Sequence, residues 1–162
     1  MRKLFLAFPL PLAIFALLAG CSTPPEYELP WGKRFDNRLP TMGKFNWIVV
    51  AEAAFSQKPA DSTEFLVTRK ALPSVLDTVL DKVADSPHVN ATAWVTSELE
   101  HIPDRDAPGA AKLNREILRT LNDAAVQTRF APELEIFNQM TNEVANNYVL
   151  VIKTSTPIPY SS

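Results

Sequence analysis

Five short apolar runs along the chain have the composition of β-strands. Residues Trp47–Ala51 and 148–152 are continuous, apolar and rich in β-branched side chains, which is typical of strands buried on both faces of a sheet. Residues Thr92–Thr96 form a third run, and 65–67 and 128–130 are shorter candidates. The pattern therefore predicts five strands, spread over the chain from residue 47 onward.

Three further stretches repeat their apolar residues at helical spacing. Pro73 suits the first turn of one helix, a second is predicted over residues 110–125, and a third begins at Pro132. Strands alternate with these helices, and this order is typical of a parallel sheet whose connections cross it as helices. The sequence therefore predicts an α/β fold of three layers, in which a mostly parallel sheet is flanked by helices.

The N-terminus has the three-part layout of an export signal. Arg2 and Lys3 precede an apolar run over residues 4–18, which is shorter than the ~20 residues that a permanent membrane span needs. Leu18-Ala19-Gly20-Cys21 then closes the run and resembles a lipobox, in which the thiol receives lipid and the chain is cut just before it. We expect residues 1–20 to be a lipoprotein signal peptide and Cys21 to be lipidated. An ordinary signal peptide, or an uncleaved anchor with an incidental cysteine, is the alternative.

Length and charge indicate a single domain that binds neither nucleic acid nor, through basic residues, the membrane surface. The residues after the signal suffice for one domain with a real core. Sixteen basic against 18 acidic residues give a net charge of −2, which argues against a nucleic-acid partner and against a polybasic membrane patch. Membrane attachment is therefore expected to come from lipid alone. An Asp after the lipidated cysteine tends to retain Gram-negative lipoproteins at the inner membrane, so Ser22 favours the periplasmic face of the outer membrane.

Both ends of the expected domain are rich in proline. Residues 21–40 hold the lipidated cysteine and four prolines, which predicts an extended tether. Its apolar residues, from Tyr27 to Phe35, indicate an arm that packs on its own domain or, alternatively, on a partner. Pro157 and Pro159 predict a loose tail over residues 157–162.

Few residues in the chain suggest chemistry. Four glycines cannot build a nucleotide-binding loop, and two histidines without a spare cysteine predict neither a metal site nor a cofactor. Ligands of parallel sheets bind at the carboxyl ends of strands, which points to Glu52, Glu98 and Lys153. Glu52 stands out because a carboxylate that follows a buried strand needs a partner. A structural salt bridge is the alternative for Glu52. Glu98 and His101 lie close together after a strand, where we expect a solvated strand-to-loop edge; a metal or acid/base cluster is the alternative there.

Three short segments that contain polar residues flank the first and last predicted strands. Met42-Gly43-Lys44-Phe45-Asn46 precedes the first strand, Glu52-Ala53-Ala54 follows it, and Asn146-Asn147 precedes the last. With the helix opened by Leu72-Pro73, these segments resemble the D-ribose pyranase and L-fucose mutarotase (RbsD/FucU-like) family over residues 39–155. The resemblance implies an RbsD-like fold, a pocket for a free monosaccharide, and ring-shaped homo-oligomers that share the pocket between subunits.

The residues at the family's site positions depart from its pattern. Mutarotation needs a general acid and a general base within reach of one sugar. Here Lys44 and Leu134 stand where the family has histidines, Asn46 stands for an aspartate, and Ala145 stands for the closing tyrosine. The resemblance therefore implies Lys44, Asn46, Glu52 and Asn147 as site residues, of which Glu52 and Asn147 keep similar chemistry.

Three functions are compatible with the sequence and with the resemblance. We expect a non-catalytic module that binds a small ligand or a protein in the cell envelope. An active monosaccharide mutarotase or pyranase, with Glu52 and Lys44 as its proton-transfer groups, is the second hypothesis. An unrelated structural α/β lipoprotein is the third. A pocket that joins Lys44, Glu52 and Asn147 would distinguish the resemblance from chance.

Overall fold

The order of helices and strands follows the alternation predicted from the sequence. The structure, a computed structural model, describes residues 29–59, 61–143 and 148–161, so the signal peptide, Cys21 and Asn147 lie outside the described residues. The helices are α1 (Trp31–Arg38), α2 (Leu72–Ala84), α3 (Ala110–Asp123) and α4 (Glu133–Glu143), with 3-10 turns at Leu39–Thr41 and Leu99–His101. The strands are β1 (Trp47–Ala51), β2 (Thr63–Val67), β3 (Thr92–Thr96), β4 (Gln127–Ala131) and β5 (Val149–Lys153).

Within the described ranges the five strands form two parallel sheets instead of one. The first has the order β1-β5-β2, and Val149 of β5 lies opposite both Trp47 of β1 and Thr63 of β2. The second is the pair β3-β4, in which Thr92 lies opposite Gln127. The predicted α/β class with parallel strands is confirmed, whereas the expected single sheet is divided between β1 and β3.

Helices cover both faces of the three-stranded sheet. On one face, Leu150 and Ile152 of β5 pack with Phe35 of α1 and with Val75 and Val79 of α2. On the other face, the alternate β5 residues pack against the α4 side. Because successive side chains of a strand point to opposite faces, a central strand covered on both sides is apolar throughout, as β5 is. The residues of this second face include Ala51, Phe55, Met140, Val149 and Val151.

Helix α2 connects the two sheets because it is apolar on two sides. Val75 and Val79 face the three-stranded sheet, while Leu72 belongs to a separate cluster with β3 and α3. Pro73 occupies the first turn of α2, as predicted, where its missing N–H costs no helical hydrogen bond. The two sheets therefore share one helix without sharing a hydrogen-bonded edge.

The segment before β1 differs from the predicted extended tether. Residues 31–38 are helical, and Phe35 is completely buried against α2 and β5. Trp31, Phe35 and Leu39 are spaced four residues apart, so they share one face of the helix and bury it on the sheet. Tyr27 and the rest of residues 21–28 lie outside the described part of the chain. The extended conformation expected up to residue 40 is thus wrong from Trp31 onward, where the arm packs on its own domain.

The C-terminal tail is also packed, and the prediction of a loose tail is wrong for residues 157–161. The backbone N–H of Thr154 donates to the carbonyl of Ala51 at 2.8 Å, and Thr156 accepts the Ala53 N–H at 2.8 Å. Further along, the hydroxyl of Thr96 donates to the carbonyl of Tyr160 at 2.6 Å. The tail therefore crosses the carboxyl ends of β1 and β3. Its prolines have no N–H to donate, so its other residues make the backbone hydrogen bonds to these strand ends.

Candidate functional site

A cleft of about 760 Å³ separates β1 from β3. This volume lies within the range of ~300–1,000 Å³ that is usual for ligand pockets. Both strands line the cleft, α2 contributes Leu76 and Leu80 on one side, and α4 contributes Ile136 and Phe137 on the other. The side chains of Ile48 and Val50 pack toward α2 and those of Trp47 and Val49 toward α4, so the cleft lies in the plane of the sheet.

The backbone edges of β1 and β3 face this cleft. The Trp47 N–H donates to the carbonyl of Tyr148 at 3.1 Å and the carbonyl of Ala51 accepts from Thr154, so alternate residues of β1 point their polar groups toward β5. In a parallel ladder the residues between them, Ile48 and Val50, point theirs the other way. The same alternation applies to β3, because the Ser97 N–H donates to Ala131 of β4 at 2.9 Å. Trp94 therefore directs its N–H and C=O toward the cleft.

Two tryptophans and an arginine give the cleft its aromatic and cationic character. Trp47 of β1 and Trp94 of β3 line its opposite sides. The guanidinium carbon of Arg129, on β4, lies 5.4 Å from the centroid of the Trp94 ring, within the range of a cation–π interaction. Arg129 also lines the cleft, so an anionic or aromatic group inside it would meet a stacked guanidinium.

The amino end of β1 holds two residues implied by the family resemblance, Lys44 and Asn46. Both line the cleft. Lys44 is exposed, and its Nζ lies 5.1 Å from the centroid of the Phe45 ring. The Oδ1 of Asn46 accepts the Gly43 N–H at 2.6 Å and its Nδ2 donates to the carbonyl of Tyr148 at 3.5 Å, so this side chain closes the turn before β1. Asn46 therefore has a structural role, which leaves Lys44 as the charged group at this end.

Three carboxylates gather at the opposite end of the strands. Glu52 follows β1 and is only 7% exposed, and Glu98 follows β3. The two oxygens of Glu98 accept the backbone N–H of Glu133 at 2.9 and 3.1 Å, which caps the first turn of α4. Burial, followed by the charges of Glu52 and Glu98, raises the pKa of Glu133 above its usual value. The two carboxylates predicted from strand ends thus meet a third, Glu133, which also accepts from Gln57 at 3.4 Å.

The sequence patterns that pointed to Glu52 and Glu98 did not single out Glu133, although its position carries the same signal. It follows Pro132 at the predicted start of α4, directly after β4, and therefore stands at the carboxyl end of a strand as Glu52 and Glu98 do. Glu133 lines the cleft. In the described part of the chain, no group of three or more histidine, cysteine, aspartate or glutamate side chains has a geometry that could hold a metal ion.

The structure does not bring the residues at the implied site together. Lys44 precedes β1 and Glu52 follows it, so the five-residue strand, roughly 16 Å long, lies between them. His101 is exposed in a 3-10 turn, and Leu134 is exposed on α4. Lys153 is half-buried at the end of β5, while Asn147 lies outside the described residues. Lys44 and Glu52 therefore cannot act on one sugar ring as a pair of proton-transfer groups.

A second polar cluster lies apart from the cleft and joins α1 to the sheet. Glu64 of β2 accepts from Nη2 of Arg34 at 2.6 Å, from Nε of Arg38 at 2.7 Å, and from the hydroxyl of Tyr148. Burial alone would raise the pKa of Glu64, but the hydrogen bonds from Tyr148, Arg38 and Arg34 together hold it below its usual value. Burial and the Glu64 carboxylate raise the pKa of Tyr148 to about 12. This cluster fixes the arm on the domain.

Comparison with protein-family models, with curated proteins and with solved structures gave no match for this chain. None of the helices in residues 29–59, 61–143 and 148–161 combines the length and apolar character needed to cross a bilayer. The function is therefore inferred from the residues that line the cleft.

Proposed function

We propose that this chain is a lipid-anchored protein of the cell envelope whose α/β domain binds a ligand in the cleft between β1 and β3. The observation that carries the proposal is the cleft itself, about 760 Å³ in volume and bordered by two strand edges, Trp47, Trp94 and Arg129. Apolar walls with a few convergent polar groups are typical of binding sites. Binding without catalysis is favoured because Lys44 and Glu52 lie at opposite ends of β1.

The anchor in this proposal is a lipid on Cys21, at the periplasmic face of the outer membrane. It is supported by the signal-like residues 1–20 and by the lipobox-like Leu18-Ala19-Gly20-Cys21. Two or three acyl chains on one cysteine hold a protein firmly without a membrane-spanning helix. Metabolic labelling with tritiated palmitate tests it: the wild type should be labelled and Cys21→Ser should not. A wild-type protein that stays unlabelled and keeps residues 1–20 would contradict the anchor.

The finer fold assignment, an RbsD-like scaffold that assembles into rings, belongs to the same proposal. Its support is the resemblance over residues 39–155 together with the parallel α/β architecture. A mutarotase remains the alternative function. NMR of D-ribose and L-fucose measures it directly, and we expect anomeric exchange at the uncatalysed rate. Exchange that the protein accelerates, and that Glu52→Gln abolishes, would replace the binding proposal with the enzyme.

Ligand binding in the cleft can be tested with 4-fluorobenzoate as the probe. Its aromatic ring suits the apolar walls and its carboxylate suits Arg129, while its charge keeps it out of lipid. With the full chain in lipid nanodiscs, we expect the ¹⁹F resonance of the probe to broaden on binding, and empty nanodiscs give the background.

Two phenylalanine substitutions make a matched pair for this test. Ala93→Phe fills the cleft from β3, whereas Ala84→Phe adds the same ring to the exposed end of α2, away from the cleft. The broadening should be lost in Ala93→Phe and kept in Ala84→Phe. Equal broadening in both variants, or none in the wild type, would count against a ligand in this cleft.

A further inference from the structure

We propose that the ligand is an extended polypeptide segment of a partner protein, which enters the cleft as a strand between β1 and β3. This inference rests on the proposed function and names its ligand class. A segment in this position would join the two sheets of the domain into one.

The first argument comes from the two backbone edges. Ile48 and Val50 on β1, and Trp94 on β3, direct their N–H and C=O groups into the cleft. Rows of donors and acceptors on exposed strand edges pair with an added strand, which is how many peptide-binding domains work. Here two edges face one space, so an added strand pairs on both of its sides. A compact ligand such as a sugar could satisfy only a part of each row.

The second argument comes from the walls above and below the plane of the sheet. Leu76 and Leu80 of α2 line one side of the cleft, and Ile136 and Phe137 of α4 line the other. The side chains of a strand alternate between two faces, so both sets in the inserted segment would meet apolar walls. The expected sequence is therefore a run of about five apolar and β-branched residues, matching the length of β1 and β3.

The third argument concerns the charges at the two ends of the segment. Glu133 lines the cleft at the carboxyl ends of the strands, where Glu52 and Glu98 add negative charge, and Lys44 lines it at the amino end of β1. A segment matches this polarity when its basic end lies beside Glu133 and its acidic end lies beside Lys44. Charge complementarity of this kind sets the register and orientation of a bound chain.

The test uses the full chain in lipid nanodiscs and three synthetic peptides with blocked ends. The first is Lys-Val-Ile-Thr-Val-Val-Glu. The second has the same side chains but is N-methylated at two alternate residues, which removes backbone donors. The third replaces the terminal Lys with Glu, so that both of its ends are acidic. Titration calorimetry measures affinity, and hydrogen–deuterium exchange follows the amides of Ile48, Val50 and Trp94.

We expect the first peptide to bind and to protect those three amides from exchange. N-methylation should weaken binding about tenfold or more, because each backbone hydrogen bond contributes a factor of about 2–10. Replacement of the terminal Lys with Glu should weaken binding about fivefold, because an acidic end would then lie beside Glu133. Equal affinity of the N-methylated peptide would overturn strand addition, and equal or tighter binding of the peptide with two acidic ends would overturn the charge match.

A proline pair on the protein provides the matched control. Val50→Pro removes an N–H that points into the cleft, while Val67→Pro removes one on the far edge of the same sheet, since its neighbour Thr68 donates to Lys153 of β5. The first should weaken peptide binding about tenfold and the second should leave it unchanged. If circular dichroism shows Val50→Pro unfolded, the N-methylated peptide decides the same question.

The remaining outcomes separate this inference from the proposed function. If 4-fluorobenzoate binds the cleft and none of the peptides does, strand addition is wrong and ligand binding stands. If neither probe binds, both proposals fail. If the protein sediments as a dimer, with Ile48, Val50 and Trp94 protected before any peptide is added, a second copy of the chain occupies the cleft and the partner segment is overturned.

Discussion

Replacement of Glu64 by glutamine should destabilise the domain by about 2–3 kcal/mol at pH 7. The Glu64 side chain is 18% exposed and accepts from two guanidinium groups, at 2.6 and 2.7 Å, and from the Tyr148 hydroxyl. Hydrogen bonds to charged groups contribute about 1.5–3 kcal/mol each when buried, and solvent at the partly exposed arginines reduces that figure. Glutamine keeps the size of the side chain but leaves both arginines facing an uncharged group.

Urea unfolding of the full chain in detergent, followed by tryptophan fluorescence, measures this change. Glu100→Gln is the matched control, because Glu100 is exposed in the 3-10 turn and its replacement should change stability by less than about 0.5 kcal/mol. Tyr148→Phe combined with Glu64→Gln should be less destabilising than the sum of the single changes, since both remove the same hydrogen bond.

The pH dependence of the difference gives a second, independent check. The folded pKa of Glu64 is lowered, so its contribution is complete above the unfolded value of about 4.3 and is lost as pH falls through the folded value. The stability gap between wild type and Glu64→Gln should be constant from about pH 6 to 8 and shrink below about pH 4. A gap under about 0.5 kcal/mol at pH 7, or one that persists undiminished in acid, would refute the reasoning.

Three further predictions concern the arm and the carboxyl ends of the strands. Phe35→Ala should cost about 3–5 kcal/mol because the ring is fully buried, whereas Phe45→Ala, at a residue 53% exposed, should cost less than about 1 kcal/mol in the same urea assay. Glu98→Ala should cost about 1 kcal/mol through loss of the α4 cap, and hydrogen exchange at the start of α4 should accelerate, with no such change in Glu100→Ala. The pKa of Glu133 is raised in the folded protein, so ionisation there opposes folding above about pH 4.3. Glu133→Gln should therefore raise the urea midpoint at pH 7 and lose this advantage as pH falls toward 4; a lower midpoint at pH 7 would contradict the repulsion.

Local patterns in the sequence were sufficient to predict most of the helices and strands. The strands β1 and β5 are predicted by their continuous apolar runs, because burial on two faces leaves few polar positions. Helix α2 is predicted by apolar residues that recur at helical spacing. The same reasoning pointed to Glu52 and Glu98 as residues at the carboxyl ends of parallel strands, where ligands bind. In the structure both influence Glu133.

The arm and the tail were mispredicted because proline suggested extension in both. In α1 the spacing of Trp31, Phe35 and Leu39 was a helical signal that the prolines around it obscured. Whether such a helix forms depends on whether its apolar face finds a surface, and that surface is made by residues of α2 and β5, more than 30 positions away. The same holds for Thr154 and Thr156, whose partners lie on β1 and α2.

What the sequence by itself determined is the five strands, the helices α2, α3 and α4, and their parallel class, because each depends on a pattern repeated within a few residues or one turn. Only the tertiary structure decided that β1 and β3 stay apart with a cleft between them, and that Glu64 meets Tyr148 across 84 positions of chain. The separation of β1 from β3 and the contact between Glu64 and Tyr148 depend on how helices such as α2 pack against the two sheets. The periodicity of a short segment carries no information about packing between residues far apart in the chain.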